Sequence, residues 1–161
     1  MPCSDEGGVS AVMVGLDIAT RTGWCRWDGE TFRTGVLDCS PAGRDEPEGV
    51  RFLRLAEQLP LVLEGAQAVV IERTYSKGKR TAEVLNGLTA VALVACERWG
   101  IEYAFVDATA LKAFAIGGRA SKAEMVAAAE RELGLDGLTD DEADAYWLVR
   151  YGLTHLVGAA T

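Results

Sequence analysis

Long apolar runs, paired cysteines and histidine are scarce in this sequence of 161 residues. No stretch approaches the roughly 18 uncharged apolar residues that a membrane-spanning helix needs. The four cysteines include no CxxC pair and the one histidine stands far from them, which argues against a zinc site and favours free thiols. Residues 1–10 lack the basic and apolar stretches of a secretory signal. We therefore expect a cytoplasmic protein with no membrane partner and a disordered tail over residues 1–10.

The composition, with 49% hydrophobic and 25% charged residues, is that of a globular protein. The length suits one domain, which we place at residues 11–161. A net charge of -8 argues against a nucleic-acid partner. The charge is nevertheless sorted along the chain, because acids concentrate between Glu132 and Asp144 while residues 73–80 and 112–122 contain bases and no acid. The two basic stretches keep nucleic-acid binding open.

Apolar runs of strand type alternate with helical periodicity along most of the chain. Strands are predicted at residues 11–18, 22–28, 31–38, 66–72 and 101–107, and helices at 50–63, 81–99, 108–116, 121–133 and 139–156. This order predicts an α/β fold with a five-stranded mixed sheet and helices on both faces. The helix at 81–99 is apolar nearly all round, so we expect it to be covered on two sides, by the sheet and by a further element such as a twin subunit. The four tryptophans are interpreted as core residues.

Four carboxylates interrupt apolar elements. Asp17 lies inside an apolar strand, and Glu72 is the last residue of another. Asp141 and Asp144 share one face of the last helix with apolar residues. Each has a structural interpretation as well, because acids often begin turns and favour the first turn of a helix. Carboxylates that converge at strand ends are suited to Mg²⁺, a hard cation that prefers oxygen ligands. Two such ions roughly 3.5–4 Å apart can promote phosphodiester hydrolysis.

Four segments taken together resemble the RuvC-type Holliday-junction resolvases of the ribonuclease H-like superfamily. They are GLDIATRTGW (15–24), VVIERTY (69–75), LKAFAIGGRASKAEMV (111–126) and DDEADAYWL (140–148), and they occur in the family's order and with similar spacing. The Pro-Gly pair that usually follows the first aspartate in the family is replaced here by Ile18-Ala19.

The resemblance implies a ribonuclease H-like fold and a Mg²⁺-dependent endonuclease that cleaves four-way or other branched DNA, with Mn²⁺ able to substitute. It places the catalytic, metal-binding roles on Asp17, Glu72, Asp141 and Asp144, which would hold two ions per site. It also implies a homodimer joined through the helix at 81–99. Together with the basic stretches, it gives these candidate DNA contacts: Arg73, Tyr75, Lys77, Lys79, Arg80, Lys112, Arg119 and Lys122.

Simpler readings of these contacts remain, since a basic run can be a solvated surface and Tyr75 can cap the core. Three other functions are also open at this point. A nuclease of the same fold could act on structured RNA or on other branched DNA, and a protein of this fold could bind nucleic acid without cleaving it. An ATPase lobe of the actin or sugar-kinase type fits less well, because such enzymes place nucleotide between two lobes.

Overall fold

The computed structural model describes residues 11–73 and 75–156, so the tail predicted at residues 1–10 lies outside the described residues. The described chain forms β1 (Met13–Asp17), β2 (Arg21–Trp27), β3 (Phe32–Asp38), α1 (Glu48–Leu63), β4 (Ala68–Arg73), α2 (Lys79–Trp99), β5 (Glu102–Asp107), α3 (Ala108–Ile116), α4 (Lys122–Leu133) and α5 (Asp140–His155). None of these helices is long and apolar enough to cross a membrane.

The five strands form one mixed sheet in the order β3-β2-β1-β4-β5. β2 is antiparallel to both of its neighbours, β1 and β3, and β4 and β5 run parallel to β1. One apolar core fills the space between the sheet and α1 and α2, and a second lies between the opposite face and α3, α4 and α5. The predicted fold class, a five-stranded mixed sheet with helices on both faces, is confirmed.

Three glycines let α5 lie directly on the sheet. A Cβ atom at Gly15 or Gly23 would overlap the α5 backbone at Ala145 or Asp141, and one at Gly152 would overlap the side chain of Met13. The sheet is therefore covered by a helix backbone in unusually close contact, and side chains on the sheet-facing side of α5 are held at the level of the strands.

The turn after β1 is closed without the family's Pro-Gly pair. The Thr22 hydroxyl donates to the Ala19 carbonyl oxygen at 2.7 Å and accepts from the Ala19 N–H at 3.3 Å. Thr22 is completely buried, so this local bonding satisfies its hydroxyl and fixes the chain directly after Asp17.

The helix that is enclosed nearly all round is α5, not α2. Its buried residues include both Leu148, which faces the sheet core, and Trp147, whose indole N–H donates to the Met125 carbonyl oxygen of α4 at 3.1 Å. By contrast, α2 buries a single stripe, and Val94 and Trp99 on it are 61% and 44% exposed. Within the described residues α2 is covered on one side, so cover of its second side by a twin subunit stays a prediction, whereas Trp99 is wrong as a core residue.

Two smaller predictions can also be compared with the structure. Cys25, Cys39 and Cys96 are buried free thiols, as predicted for these three. Pro60 lies within α1, which continues to Leu63. Because proline has no N–H, the carbonyl four residues before Pro60 lacks its usual intrahelical partner.

Candidate metal centre

The first two carboxylates of the centre come from neighbouring parallel strands. Leu16 of β1 pairs with Ile71 of β4, so Asp17 and Glu72 are each one residue beyond this pair at the carboxyl edge of the sheet. Side chains alternate between faces along a strand. Leu16 and Ile71 enter the core under α1 and α2, and consequently Asp17 and Glu72 face α5.

The other two carboxylates come from the first turns of α5. The start of this helix is fixed by a capping box, in which the Thr139 hydroxyl accepts from the Glu142 N–H at 3.1 Å and the Glu142 carboxylate accepts from the Thr139 N–H at 2.9 Å. The hydroxyl of Thr34 on β3 also donates to Glu142 at 3.1 Å, which ties the helix start to the sheet. With its start fixed, α5 directs Asp144 toward the carboxyl edge of β1 and β4.

Three of the four predicted acids meet in space. Asp17, Glu72 and Asp144 each offer a carboxylate oxygen, and these oxygens all lie within 4.8 Å of one another. All three side chains are partly buried. Asp141 stands beside this cluster, close enough to Asp17 to share a hydrogen bond with it. The described structure thus has a triad with a fourth acid at its margin.

Crowding and burial make these acids hard to ionise. Burial raises the pKa of Asp17 to about 8, with further contributions from the charges of Glu72, Asp144 and Asp141. The pKa of Glu72 rises to about 7 through burial and the charge of Asp144, and that of Asp144 rises to about 6, chiefly through burial. Burial and the neighbouring Asp140 raise the pKa of Asp141. A bound cation would relieve this repulsion, since it favours the ionised forms.

Two lysines act against this repulsion from the exposed side. The charges of Lys112 on α3 and Lys122 on α4 both lower the pKa of Glu72 and of Asp144. Lys122 also donates to Asp140 at 3.1 Å. Both lysine side chains are exposed. Of the predicted DNA contacts, these two lie close enough to influence the acidic cluster directly.

The remaining predicted DNA contacts differ in whether their side chains already have a partner within the protein. Arg73 pairs with Asp107 at 3.4 Å and its guanidinium lies 4.9 Å from the ring centre of Phe105, so part of its binding capacity is already used. Tyr75 is 82% exposed and therefore does not cap the core. The other four side chains are exposed: Lys77, Lys79, Arg80 and Arg119.

One charged residue at this edge was missed by the sequence reasoning. Arg21 begins β2, pairs with Asp38 at 3.1 Å, and contributes a positive charge near Asp141. Its position four residues after Asp17, across a short turn, was an available signal. It stood outside both basic stretches, and for that reason it was not considered.

Comparison with solved structures identifies the architecture. The structure described as "T. thermophilus RuvC in complex with Holliday junction substrate" aligns over 90% of this chain and 96% of its own, with a TM-score of 0.73 and 20% identity. The chain has the RuvC fold. A second structure, "Thermus thermophilus RuvC structure", gives a TM-score of 0.73 at 19% identity over 92% of this chain and 96% of its own. No protein-family model matches the sequence, and no curated protein matches it.

Proposed function

We propose that the protein is a metal-dependent endonuclease that cleaves four-way DNA junctions by hydrolysing phosphodiester bonds. The observation that carries the proposal is the convergence of Asp17, Glu72 and Asp144 at the carboxyl edge of the sheet. The acids come from three separate elements of the chain, and a structural role in the first turn of a helix would not require the two strand residues to face the same point.

The donor set fits Mg²⁺. Carboxylate oxygens are the ligands that this ion prefers, and no histidine or thiolate belongs to the triad. In the proposal, Asp17, Glu72, Asp141 and Asp144 hold two Mg²⁺ ions, or Mn²⁺ in their place. Bound ions would supply Lewis-acid polarisation of the scissile phosphate and lower the pKa of a water molecule.

The chain's own residues bind and orient the nucleic acid. Lys112 and Lys122 stand on the exposed side of the acids, where each can contact a phosphate beside the scissile bond. Lys77, Lys79, Arg80 and Arg119 extend the basic surface, and Arg73 can exchange Asp107 for a phosphate. The exposed ring of Tyr75 is available to stack on a base that is unpaired at a branch point.

The choice of a four-way junction rests on the solved neighbour. That RuvC structure holds a Holliday junction substrate, and its alignment covers 90% of this chain. The net charge of -8 weakens affinity for any nucleic acid, but the acids of the centre would be neutralised locally by the ions they bind.

A homodimer follows from the same reasoning, because two strands of a junction must be cut. We propose the exposed face of α2 as the interface, where Val94 and Trp99 present apolar surface to solvent. Light scattering should report twice the monomer mass. Val94→Glu should give a monomer that retains its helical circular dichroism. If this variant keeps the mass of a dimer, the interface does not include the exposed face of α2.

The proposal is tested by incubating a synthetic four-way junction with the protein in Mg²⁺, Mn²⁺ or chelator. We expect nicks near the branch point with either ion and none with chelator. Flap DNA, linear duplex and structured RNA compete in parallel, and preferential cleavage of any of these would replace the junction as substrate. Metal binding without any cleavage would favour a non-catalytic nucleic-acid-binding protein.

A further inference from the structure

A second charged cavity lies away from the acids, on the α1 and α2 side of the sheet. It measures about 390 Å³ and is open between the loop after β3 and the first turns of α1 and α2. Three arginines from these separate segments line it: Arg44 from the loop, Arg51 from α1 and Arg80 from α2. Of the three, only Arg80 belongs to the basic stretches recognised from the sequence.

The positive charge of this cavity is not cancelled by its own acids. Glu46 lines it but is held by Arg54, which donates to Oε2 at 2.6 Å and also contacts Oε1. That hydrogen bonding is the main cause that lowers the pKa of Glu46, and the charge of Arg51 adds a smaller contribution. Across residues 11–73 and 75–156, none of the three arginines forms an ion pair. They face one remaining carboxylate, Glu48.

Arg51 has a donor without a partner. Its Nε atom is shielded from solvent and forms no hydrogen bond to any described residue. A buried donor without an acceptor is destabilising, and most buried donors in native proteins have a hydrogen-bond partner. Arg51 also lines the cavity, so its side chain has donor capacity that no described residue uses beside this space.

The backbone around the cavity also favours an anion. Both α1 and α2 begin without a side-chain cap, at Pro47 and Gly78. The first turn of α1 contains Glu48, whereas that of α2 contains no acid. Helix N-termini carry partial positive charge and free N–H groups. Here they reinforce the three guanidinium groups, whose planar donor forks match the oxygens of a phosphate.

The cavity shares an edge of the sheet with the acidic centre. The loop that carries Arg44 leaves the carboxyl end of β3. Residues 74–78, here called the basic loop, lead from the carboxyl end of β4 to α2, where Arg80 lies. Since β3 and β4 both run parallel to β1, these ends lie at the edge that holds Asp17. A nucleic-acid strand bound at the acids can therefore continue across the basic loop toward the cavity.

We propose that Arg44, Arg51 and Arg80 form a phosphate-binding subsite that holds the backbone of a DNA strand as it leaves the acidic centre on the α1 and α2 side. The subsite adds Arg44 and Arg51 to the nucleic-acid surface. The inference rests on the proposed function, because the bound phosphate belongs to the same DNA that is cleaved.

The test measures how binding of a labelled four-way junction depends on salt, by fluorescence anisotropy with Ca²⁺ in place of Mg²⁺. The logarithm of the association constant falls linearly with the logarithm of the salt concentration, and each lost phosphate contact should make this slope less steep by about 0.9. We expect this loss for Arg44→Gln and for Arg51→Gln. Arg51→Lys should retain the slope with several-fold weaker binding, since it keeps the charge but loses the fork. Arg131→Gln, in the exposed last turn of α4, is the matched control and should leave the slope unchanged.

Folding and chemistry are checked separately. Arg44 is exposed in a loop, so its substitution should leave the melting temperature unchanged. If Arg44→Gln and Arg51→Gln bind with the slope of Arg131→Gln while the wild-type protein still nicks the junction, the subsite is refuted and the proposed function stands. Wild-type binding without nicking refutes the function, and the slopes still report on the subsite. Absence of DNA binding overturns both.

A free anion is the other source of the same chemistry. Inorganic phosphate is therefore added to the wild-type protein and to Arg51→Gln in a thermal-shift assay. Protection of the wild type alone, together with unchanged junction slopes, would assign the cavity to a small anion and overturn its role in holding a DNA strand. Lowered slopes support the strand assignment whether or not free phosphate also binds.

Discussion

Neutralising Asp17 should stabilise the metal-free protein at alkaline pH. Its pKa of about 8 means that the folded state holds a proton that the unfolded chain has already lost above pH 4 or so. Keeping this proton therefore costs the folded state more and more stability as the pH rises from about 4 toward 8. Asp17→Asn removes this penalty while leaving the shape of the side chain nearly unchanged.

The magnitude follows from the same shift. At about 1.4 kcal/mol for each pKa unit, the difference between an ordinary aspartate and Asp17 corresponds to roughly 6 kcal/mol. The partial exposure of Asp17 and the protons that Glu72 can take up relieve much of it, and a buried amide has its own desolvation cost. We therefore expect a gain of about 2 kcal/mol at pH 8, or roughly 6 °C in melting temperature.

The assay is thermal unfolding of both proteins from pH 4.5 to pH 8, with chelator and then with Mg²⁺. With chelator, the advantage of Asp17→Asn should be near zero at low pH and should grow as the pH rises. With Mg²⁺ the order should reverse, because only the wild type gains stability from binding the ion. Asp38→Asn is the control at the same edge. Hydrogen bonds from Ser40 and the charge of Arg21 lower the pKa of Asp38, so neutralising it should bring no gain.

An equal or lower melting temperature for Asp17→Asn at pH 8 with chelator would refute the reasoning. It would mean that Asp17 ionises as freely in the folded state as in the unfolded chain, and hence that the acids are not crowded as described.

Further predictions concern cleavage, DNA binding and the packing of α5. Asp144→Asn should reduce nicking of a four-way junction at least a hundredfold and leave binding intact; nicking within twofold of wild type would exclude Asp144 from the centre. Lys77→Glu combined with Lys79→Glu should weaken binding to all DNA sequences and flatten its salt dependence, whereas an unchanged slope would place this loop off the DNA path. Gly23→Ala should cost about 1–3 kcal/mol on chemical denaturation and also impair metal binding, because the new methyl group meets the α5 backbone. Gly43→Ala, with open space around it, should do neither.

The order of elements and two helix starts could be predicted from the sequence because their signals are local. Strand patterns and the spacing from Ser121 to Glu124 and from Thr139 to Glu142 depend only on neighbouring residues, and both capping boxes are present in the structure. The meeting of Asp17 and Glu72 could also be anticipated, since both close apolar runs typical of central strands.

The remaining features depend on contacts between distant segments. In the sequence, Gly23 has no feature that sets it apart from other strand glycines. Only the position of α5 shows why a side chain cannot be accommodated there. Trp99 was assigned to the core on residue type, yet it ends α2 where no other described element covers it fully. Arg44 and Arg51 stand among acids in the sequence, which gives no sign of a basic site. Only the structure shows that they line one cavity and that Arg54 forms hydrogen bonds with Glu46.

Direct measurement of metal binding tests the central claim most sharply. Titration of the protein with Mn²⁺, followed by the loss of the free-ion signal in electron paramagnetic resonance, reports binding without DNA or catalysis. The account predicts saturable binding at pH 8 that weakens as the acids take up protons toward pH 5 and is lost in Glu72→Gln and in Asp144→Asn. Wild-type protein that leaves the free Mn²⁺ signal unchanged, or the two variants binding as tightly as wild type, would contradict it.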